Sequence, residues 1–209
     1  MERDFGKEID EIKKQLDEMS EIFMPANHRT HKRERGDAKP LKNIHPMRNM
    51  HPDARLSEMM EELCEKVDQD DNTGAITYLG VYASGGRQSN WIRHQVDTDA
   101  LLELIENNLA GKVLACIGSS DKLNMLLALL RSPKTAAQLV EQCGYNTTGQ
   151  VYHHLKTLLA ADLVREDENN RGSYTIIPHR VQGIIMLLAG ISDMLDPQFT
   201  QGEWEQPQS

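Results

Sequence analysis

One short segment of the chain combines small and hydrogen-bonding side chains on a single side of a predicted helix. Apolar residues recur between positions 151 and 159 at intervals of three and four, which is the spacing of a helix with one buried side. The other side carries Thr148, Gly149, Tyr152, His153 and Lys156. A slender polar helix face fits the major groove of DNA, where base edges offer hydrogen-bond donors and acceptors. The chemistry that these residues could perform is therefore the reading of base pairs.

Two more predicted helices precede this one and would position it. Residues 119–121 offer caps for the first helix, and Thr135 caps the second. The second helix is expected to end at Gly144, because glycine readily takes the left-handed conformation that closes a helix. Thr147 or Asn146 then caps the third helix. The apolar residues of the first helix that we expect in the core are Leu123, Met125, Leu126, Leu129 and Leu130.

A predicted β-hairpin follows the third helix and has the character of a wing. Residues 163–165 lead into a polar tip at 166–172, and residues 173–177 return as a strand. Arg171 in the tip is a candidate contact to a phosphate or to the minor groove. The three acidic residues at 166–168 oppose the approach of DNA at the same place.

The string KTAAQLVEQCGYNTTGQVYHHLKTLLAADLV, followed by NRGSYTI, resembles the winged helix-turn-helix repressors of the ArsR type. Ala161 and Asp162 stand where the family usually has Ala-Gly after its recognition helix. By this resemblance Lys156 lies on the side that contacts the DNA backbone, and His154 points inward, where we expect a hydrogen-bonded core histidine. The resemblance also implies which residues occupy the base-reading positions of the family, and these are Thr147, Thr148, Gly149, Tyr152 and His153.

Metal sensing and cofactor binding are not expected. By the same resemblance, the metal sensors of the family use a Cys-Val-Cys pair near the end of the second helix or of its neighbour, and only Cys143 stands there in this chain. The three cysteines of the chain form no CxxC pair, which argues against a disulfide framework and fits a reducing compartment. No small-molecule effector can be assigned from the sequence.

The charges of the chain are unevenly distributed. The formal net charge of −9 opposes nucleic-acid binding, but residues 25–55 hold eight Lys or Arg and only three acidic residues. We interpret this stretch as a basic flexible linker that attracts phosphates. Its four histidines are separated by 3, 14 and 6 residues, a pattern that favours a solvated arm over a metal site. These histidines are His28, His31, His45 and His51.

The two segments on either side of the linker are predicted to be ordered. Residues 1–24 carry an apolar stripe that indicates either a short coiled coil or an amphipathic helix on its own domain. Residues 56–110 are predicted to contain a helix, a β-hairpin and a second helix. Tyr78, Tyr82 and Trp91 of the hairpin could line a ligand pocket or simply fill a sheet face. The apolar residues of the second helix expected to face inward are Leu101, Leu102, Leu104 and Ile105.

A strongly apolar helix at 179–196 follows the winged region at 111–178, and we expect it to pair with its twofold mate. Residues 197–209 are interpreted as a tail. The predicted fold is therefore mainly α with small β-hairpins (α+β), built around a winged helix-turn-helix.

The sequence favours a transcriptional regulator that binds double-stranded DNA as a homodimer, and the resemblance to the ArsR type implies a repressor. A winged helix that binds another protein, without specific DNA binding, is the alternative, and it draws support from the acidic wing. An enzyme is not expected, because the chain has no glycine-rich phosphate loop, no GxSxG and no HExxH. No signal peptide and no membrane segment is predicted, so we expect the cytoplasm.

Overall fold

The computed structural model describes residues 43–47 and 50–202. The predicted helix at 1–24, most of the linker and the end of the tail lie outside these residues. Within the described part the fold is mainly helical with two small antiparallel sheets, as predicted. The elements in chain order are α1 (Ala54–Asp70), β1 (Ala75–Ser84), β2 (Arg87–Asp97), α2 (Thr98–Glu106), α3 (Leu109–Ile117), α4 (Ser120–Arg131), β3 (Lys134–Thr135), α5 (Ala136–Cys143), α6 (Thr148–Ala160), β4 (Val164–Glu166), β5 (Ser173–Ile176), a 3-10 turn (Pro178–Arg180) and α7 (Val181–Leu195).

The described residues form two compact units. The first unit contains Val81–Ser89 and Leu104–Val181. The second contains Asn90–Glu103 together with the described parts of Glu34–Gly80 and Gln182–Ser209. The tip of the β1–β2 hairpin therefore belongs to the same unit as the predicted winged region.

The core of the first unit is built by one face each of α4, α5 and α6. Their buried side chains follow the three- and four-residue spacing of amphipathic helices, and each contributes about 1.5–3 kcal/mol through removal from water. Leu123 and Leu159 were also predicted to face inward, but they are 42% and 39% exposed because they lie at the edges of the apolar stripes. The fully buried residues of the three helices are Met125, Leu126, Leu129, Leu139, Val151, Leu155 and Leu158.

Local caps set the ends of these helices as the sequence predicts. The Ser119 hydroxyl accepts a hydrogen bond from the backbone N–H of Lys122 at the start of α4. At the start of α5, Thr135 and Gln138 form a reciprocal capping box. Gly144 ends α5 with φ of 72°, and its N–H donates to the carbonyl of Val140.

A three-stranded antiparallel sheet completes the first unit in the order β3-β5-β4. Arg165 pairs with Thr175 across β4 and β5, and Lys134 of β3 pairs with Tyr174. Because successive side chains on a strand point to opposite faces, Arg165 and Thr175 lie on the face opposite to the buried Ile176. The wing hairpin forms as predicted, whereas strand β3 was not predicted from the sequence.

The β1–β2 hairpin also forms where it was predicted. In the second unit, a Cβ at Gly80 would collide with the indole ring of Trp91, so glycine leaves the room in which the ring packs. Trp91 is accordingly buried. The Tyr78 hydroxyl accepts a hydrogen bond from Nε2 of Gln182. These contacts favour sheet packing over a ligand pocket as the role of Trp91.

The inward orientation predicted for the apolar residues of α2 is wrong. The helix forms, but none of its residues is buried, and Ile105 is 69% exposed. Apolar spacing identifies a helix face, yet it does not specify a surface to cover that face. The exposed residues are Leu101, Leu102, Leu104 and Ile105.

No single helix in the described part of the chain is long and apolar enough to cross a membrane. The pair α3 and α4 reaches the required length and composition only when both helices are counted together, and the two are bent by 76° relative to each other.

Candidate nucleic-acid interface

Helix α6 is held at its start by polar contacts within its own first turn. The Thr147 hydroxyl accepts a hydrogen bond from the backbone N–H of Gln150 at 3.4 Å. The side-chain carbonyl of Gln150 in turn accepts from the backbone N–H of Asn146 at 2.9 Å. The cap is therefore Thr147, one of the two residues that the sequence allowed. Both contacts order the N-terminal end of α6.

The buried side of α6 fixes the orientation of its other side. Val151, Leu155 and Leu158 are completely buried, and α6 contacts α3, α4, α5 and β4. These side chains recur at intervals of four and three, so rotation of the helix would expose them. The polar face is thus directed away from the core by packing, without any contribution from a ligand.

The structure places all the predicted site residues at the surface. Thr148, Tyr152 and Lys156 follow one another at intervals of four and so form one row along α6. Tyr152 is the largest of them and is 53% exposed. The seven exposed residues are Thr147, Thr148, Gly149, Tyr152, His153, Lys156 and Arg171.

His154 differs from the prediction of a hydrogen-bonded core histidine. Its side chain is only partly buried, and Nε2 lies 3.6 Å from Oδ2 of Asp121, which is too far for a hydrogen bond. Its ring stacks on Tyr145 with centroids 5.5 Å apart, and Nδ1 has no hydrogen-bond partner among the described residues. The ring lies at the border of the core. Only three side chains of α6 are completely buried, and His154 is not one of them.

Tyr145 in the turn between α5 and α6 ties this turn to the start of α4. Its hydroxyl donates a 2.9 Å hydrogen bond to the carbonyl of Asp121. Burial, with smaller contributions from Cys143 and Asp121, raises the pKa of Tyr145 to about 12. The phenol is therefore held in its neutral, donating form.

The acidic residues of the wing are engaged inside the wing itself. Oε1 of Glu166 accepts a 2.6 Å hydrogen bond from the backbone N–H of Gly172, and Oδ1 of Asp167 accepts from the N–H of Asn169. Glu168 forms an ion pair with Arg165 at 2.9 Å. These carboxylates shape the loop, and their charge remains at the wing, as the sequence analysis noted.

The tip of the β1–β2 hairpin supports the same domain through a contact that the sequence analysis missed. Nη2 of Arg87 donates to the carbonyls of Leu129 and Leu130, both at 2.8 Å. Nη1 of Arg87 donates to the hydroxyl of Thr175 in β5 at 3.1 Å. The last carbonyls of a helix lack partners within the helix, so a cation at this position satisfies them and complements the helix dipole. Arg87 thereby links the end of α4 to the wing sheet.

Further polar contacts support the hairpin tip, among them a 3.5 Å hydrogen bond from the Ser84 hydroxyl to the carbonyl of Arg131. The Tyr82 hydroxyl donates to the carbonyl of Leu130 at 3.2 Å, and the Ser89 hydroxyl donates to the carbonyl of Pro178 at 2.8 Å. The only sequence signal for this role is the polar character of a hairpin tip with a Gly85-Gly86 turn, which does not identify a partner.

The described residues contain no group of three or more His, Cys, Asp and Glu that could hold a metal ion. Cys64, Cys116 and Cys143 are free thiols, and burial is the main cause that raises the pKa of each. Of the four histidines in the linker, His45 and His51 lie within the described residues.

Three helices in this order, with a turn before the third and a hairpin after it, define a winged helix-turn-helix domain. Residues 119–166 match the family described as bacterial regulatory protein, arsR family. The C-terminal part of the chain therefore contains an ArsR-family helix-turn-helix domain, as the resemblance implied. Such a domain implies DNA binding, and its family is one of regulators that are typically not enzymes. No curated protein and no solved structure matches the chain significantly.

Proposed function

We propose that this protein is a transcriptional repressor that binds duplex DNA as a homodimer. The observation that carries the proposal is the exposed polar face of α6, which a buried apolar face directs outward in a domain of the ArsR family. In this proposal α6 enters the major groove, and its N-terminal half meets the base edges. The compartment in which the protein acts is then the one that holds the DNA, which we expect to be the cytoplasm.

The proposed roles of the residues follow from their chemistry. Thr147, Thr148, Gly149, Tyr152 and His153 stand on the groove side of α6, where small, hydroxyl-bearing and aromatic side chains can contact bases. Two cations, Lys156 on α6 and Arg171 on the wing, are assigned to phosphates, because their charge attracts the backbone regardless of sequence.

Dimerisation is proposed through α7. Its last two turns carry large apolar side chains that no part of the described chain covers, and such a patch on a helix favours association with a second copy. Two α6 helices would then read half-sites about one helical turn of DNA apart. The basic linker 25–55 would add attraction to phosphates. The exposed apolar residues are Leu188, Ile191, Met194 and Leu195.

A winged helix that binds another protein is the second candidate. It is favoured by the three carboxylates at 166–168 in the wing, since they repel phosphates. The two candidates differ in salt dependence, because only DNA binding releases counterions from a nucleic acid.

Selection from a pool of random duplexes tests the proposal. The purified full chain is incubated with the pool at low and at moderate salt, and the retained duplexes are sequenced. Enrichment of an inverted repeat supports a dimeric, sequence-specific regulator and identifies its operator. An absence of retention even at low salt overturns the proposal and favours the protein-binding module.

A further inference from the structure

A cavity of about 700 Å³ lies in the first unit on the outer face of the wing sheet. Three segments contribute to its walls: the turn of the β1–β2 hairpin, the stretch that joins α4 to β3, and the wing. Arg165 and Thr175 of the wing line it, and both lie on the sheet face opposite to the buried Ile176. The volume falls within the range of small-molecule sites in proteins.

The lining of this cavity is unusually positive for an acidic chain. Arg87, Arg131 and Arg165 all contribute to the walls, whereas Asp167 is the single carboxylate among the lining residues. The lining therefore carries an excess of two positive charges, although the whole chain has a formal net charge of −9. Ser132 and Asn169, whose side chains can donate hydrogen bonds, also line the cavity.

The three guanidinium groups differ in how far they are already engaged. Arg87 is committed to backbone carbonyls and to Thr175. Arg165 forms one exposed ion pair with Glu168, and such a pair contributes little and exchanges easily. The Arg131 side chain makes no hydrogen bond or ion pair with any residue that the structure describes. Arg131 can therefore bind a ligand without the loss of an existing contact.

We propose that this cavity binds a small oxyanion with two negative charges, such as a phosphate monoester or a dicarboxylate. Arg131 supplies the main charged contact, because a guanidinium group can donate two parallel hydrogen bonds to a phosphate or carboxylate. Arg165 turns from Glu168 to provide the second contact. Arg87 forms part of the wall, and its charge adds to the attraction.

Duplex DNA read by α6 is a less suitable occupant of this site. Thr175 lines the cavity from the sheet face opposite to the buried Val164 and Ile176, whereas α6, which contacts β4, packs its buried side chains in the core. The cavity is therefore on the side of the wing sheet that faces away from the core to which α6 contributes. A bound anion would bridge the hairpin tip, the end of α4 and the wing, which are the segments that line the site.

Calorimetric titration of the full chain with sodium phosphate and, separately, with sodium malonate tests the proposal. The pH is mildly alkaline, so that phosphate is a dianion, and chloride at matched ionic strength serves as the blank. We expect saturable binding of at least one anion, and the better probe indicates whether the natural ligand is a phosphate ester or a dicarboxylate. Heat no larger than that of the chloride blank overturns the proposal.

Two matched variants locate the site. Arg131→Gln removes the free guanidinium, and Arg93→Gln removes an exposed arginine of β2 that does not line the cavity. The dissociation constant for the bound anion should rise about tenfold or more in Arg131→Gln and stay unchanged in Arg93→Gln. Equal affinity in wild type and Arg131→Gln, or equal loss in both variants, overturns the assignment.

The titration contains no DNA, so its outcome is independent of the proposed regulatory function. Duplex binding by Arg131→Gln is measured in parallel. A weaker duplex affinity together with the absence of anion binding would assign these arginines to the DNA backbone and overturn the proposed small-molecule site.

Discussion

Nη2 of Arg87 lies 2.8 Å from the carbonyl oxygen of Leu130, so a hairpin tip satisfies the end of a helix that begins more than thirty residues later in the chain. The carbonyls at the end of α4 have no partner within the helix, and the guanidinium supplies several donors at once. Arg87→Ala should therefore lower the free energy of unfolding by about 1–3 kcal/mol. Urea denaturation followed by circular dichroism measures this change.

Arg93→Ala is the matched control, because Arg93 is exposed on the neighbouring part of β2. It should change the free energy of unfolding by less than about 0.5 kcal/mol. Equal midpoints for the wild type and Arg87→Ala would show that the carbonyls of α4 are satisfied equally well by water.

The two kinds of proposed DNA contact should respond differently to substitution. Tyr152→Ala and His153→Ala should relax the sequence preference, because they remove groups assigned to base edges. Lys156→Gln and Arg171→Gln should weaken binding to all duplexes alike, and each should reduce the slope of log affinity against log salt by about one. Fluorescence anisotropy with the selected operator and with a scrambled duplex, at several salt concentrations, separates these effects. Identical behaviour of both pairs would contradict the assignment of the α6 face.

The cap of α6 has a structural role that can be separated from any DNA contact. Thr147→Ala removes the hydroxyl that accepts from Gln150, and it should cost about 1 kcal/mol of stability. Thr147→Ser restores an oxygen at the cap and should recover most of that loss. Thermal denaturation compares the stability of the variants. Thr135→Ala, which removes the corresponding hydroxyl at the cap of α5, is included for comparison. If Thr147→Ser is as unstable as Thr147→Ala, the hydroxyl is not what caps the helix.

Tyr145 should make the fold sensitive to strongly alkaline solution. Its pKa is raised from an ordinary value of about 10 to about 12, so below pH 10 the phenol is neutral in both folded and unfolded chains. As the pH rises from about 10 to about 12, the unfolded chain ionises first, and stability is lost over this window. Tyr145→Phe lacks this group, so its stability should fall less over the same range.

Ultraviolet absorption of tyrosinate provides the direct measurement. The difference between the titrations of the wild type and Tyr145→Phe should contain a step near pH 12. A step near pH 10 would mean that the ring is not shielded from water as the structure has it.

Removal of the apolar surface of α7 should dissociate the proposed dimer. Ile191→Glu combined with Leu195→Glu places charge on the exposed side of the helix, where Leu195 is 82% exposed in the single chain. Sedimentation velocity should show a monomer for this double variant and a dimer for the wild type. Ile92→Glu, at another exposed apolar position, should leave the dimer intact. A wild-type monomer at all concentrations would contradict the proposed assembly.

The sequence predicts the winged helix-turn-helix well because its signals are local. Ser119, Thr135 and Thr147 stand where a cap must stand, and Gly144 stands where α5 must end with a positive φ. The apolar spacing of α6 also separates Val151 from Tyr152 correctly. Caps and spacing operate within one or two turns of helix, so they can be read without knowledge of distant partners.

The features that the sequence analysis missed depend on distant partners. The strand at Lys134 and Thr135 has two residues, too few to show any alternation, and it exists through its pairing with β5. The role of Arg87 depends on where α4 ends. Leu102 and Ile105 were expected to be buried but are exposed, and the reason is the same. The spacing of apolar residues along a helix does not show which surface, if any, covers its apolar face.

The stretch Val81–Ser89 determines which parts of the chain are needed for a complete winged helix-turn-helix domain. The family match begins at residue 119, yet the end of α4 is completed by donors that come from before that point. A contiguous fragment that starts at Ser119 would contain α6 but would lack the Arg87 guanidinium that satisfies the end of α4. Transplanting this domain into a chimera therefore means moving two separate pieces of the gene, one for the hairpin tip and one for the helices and the wing.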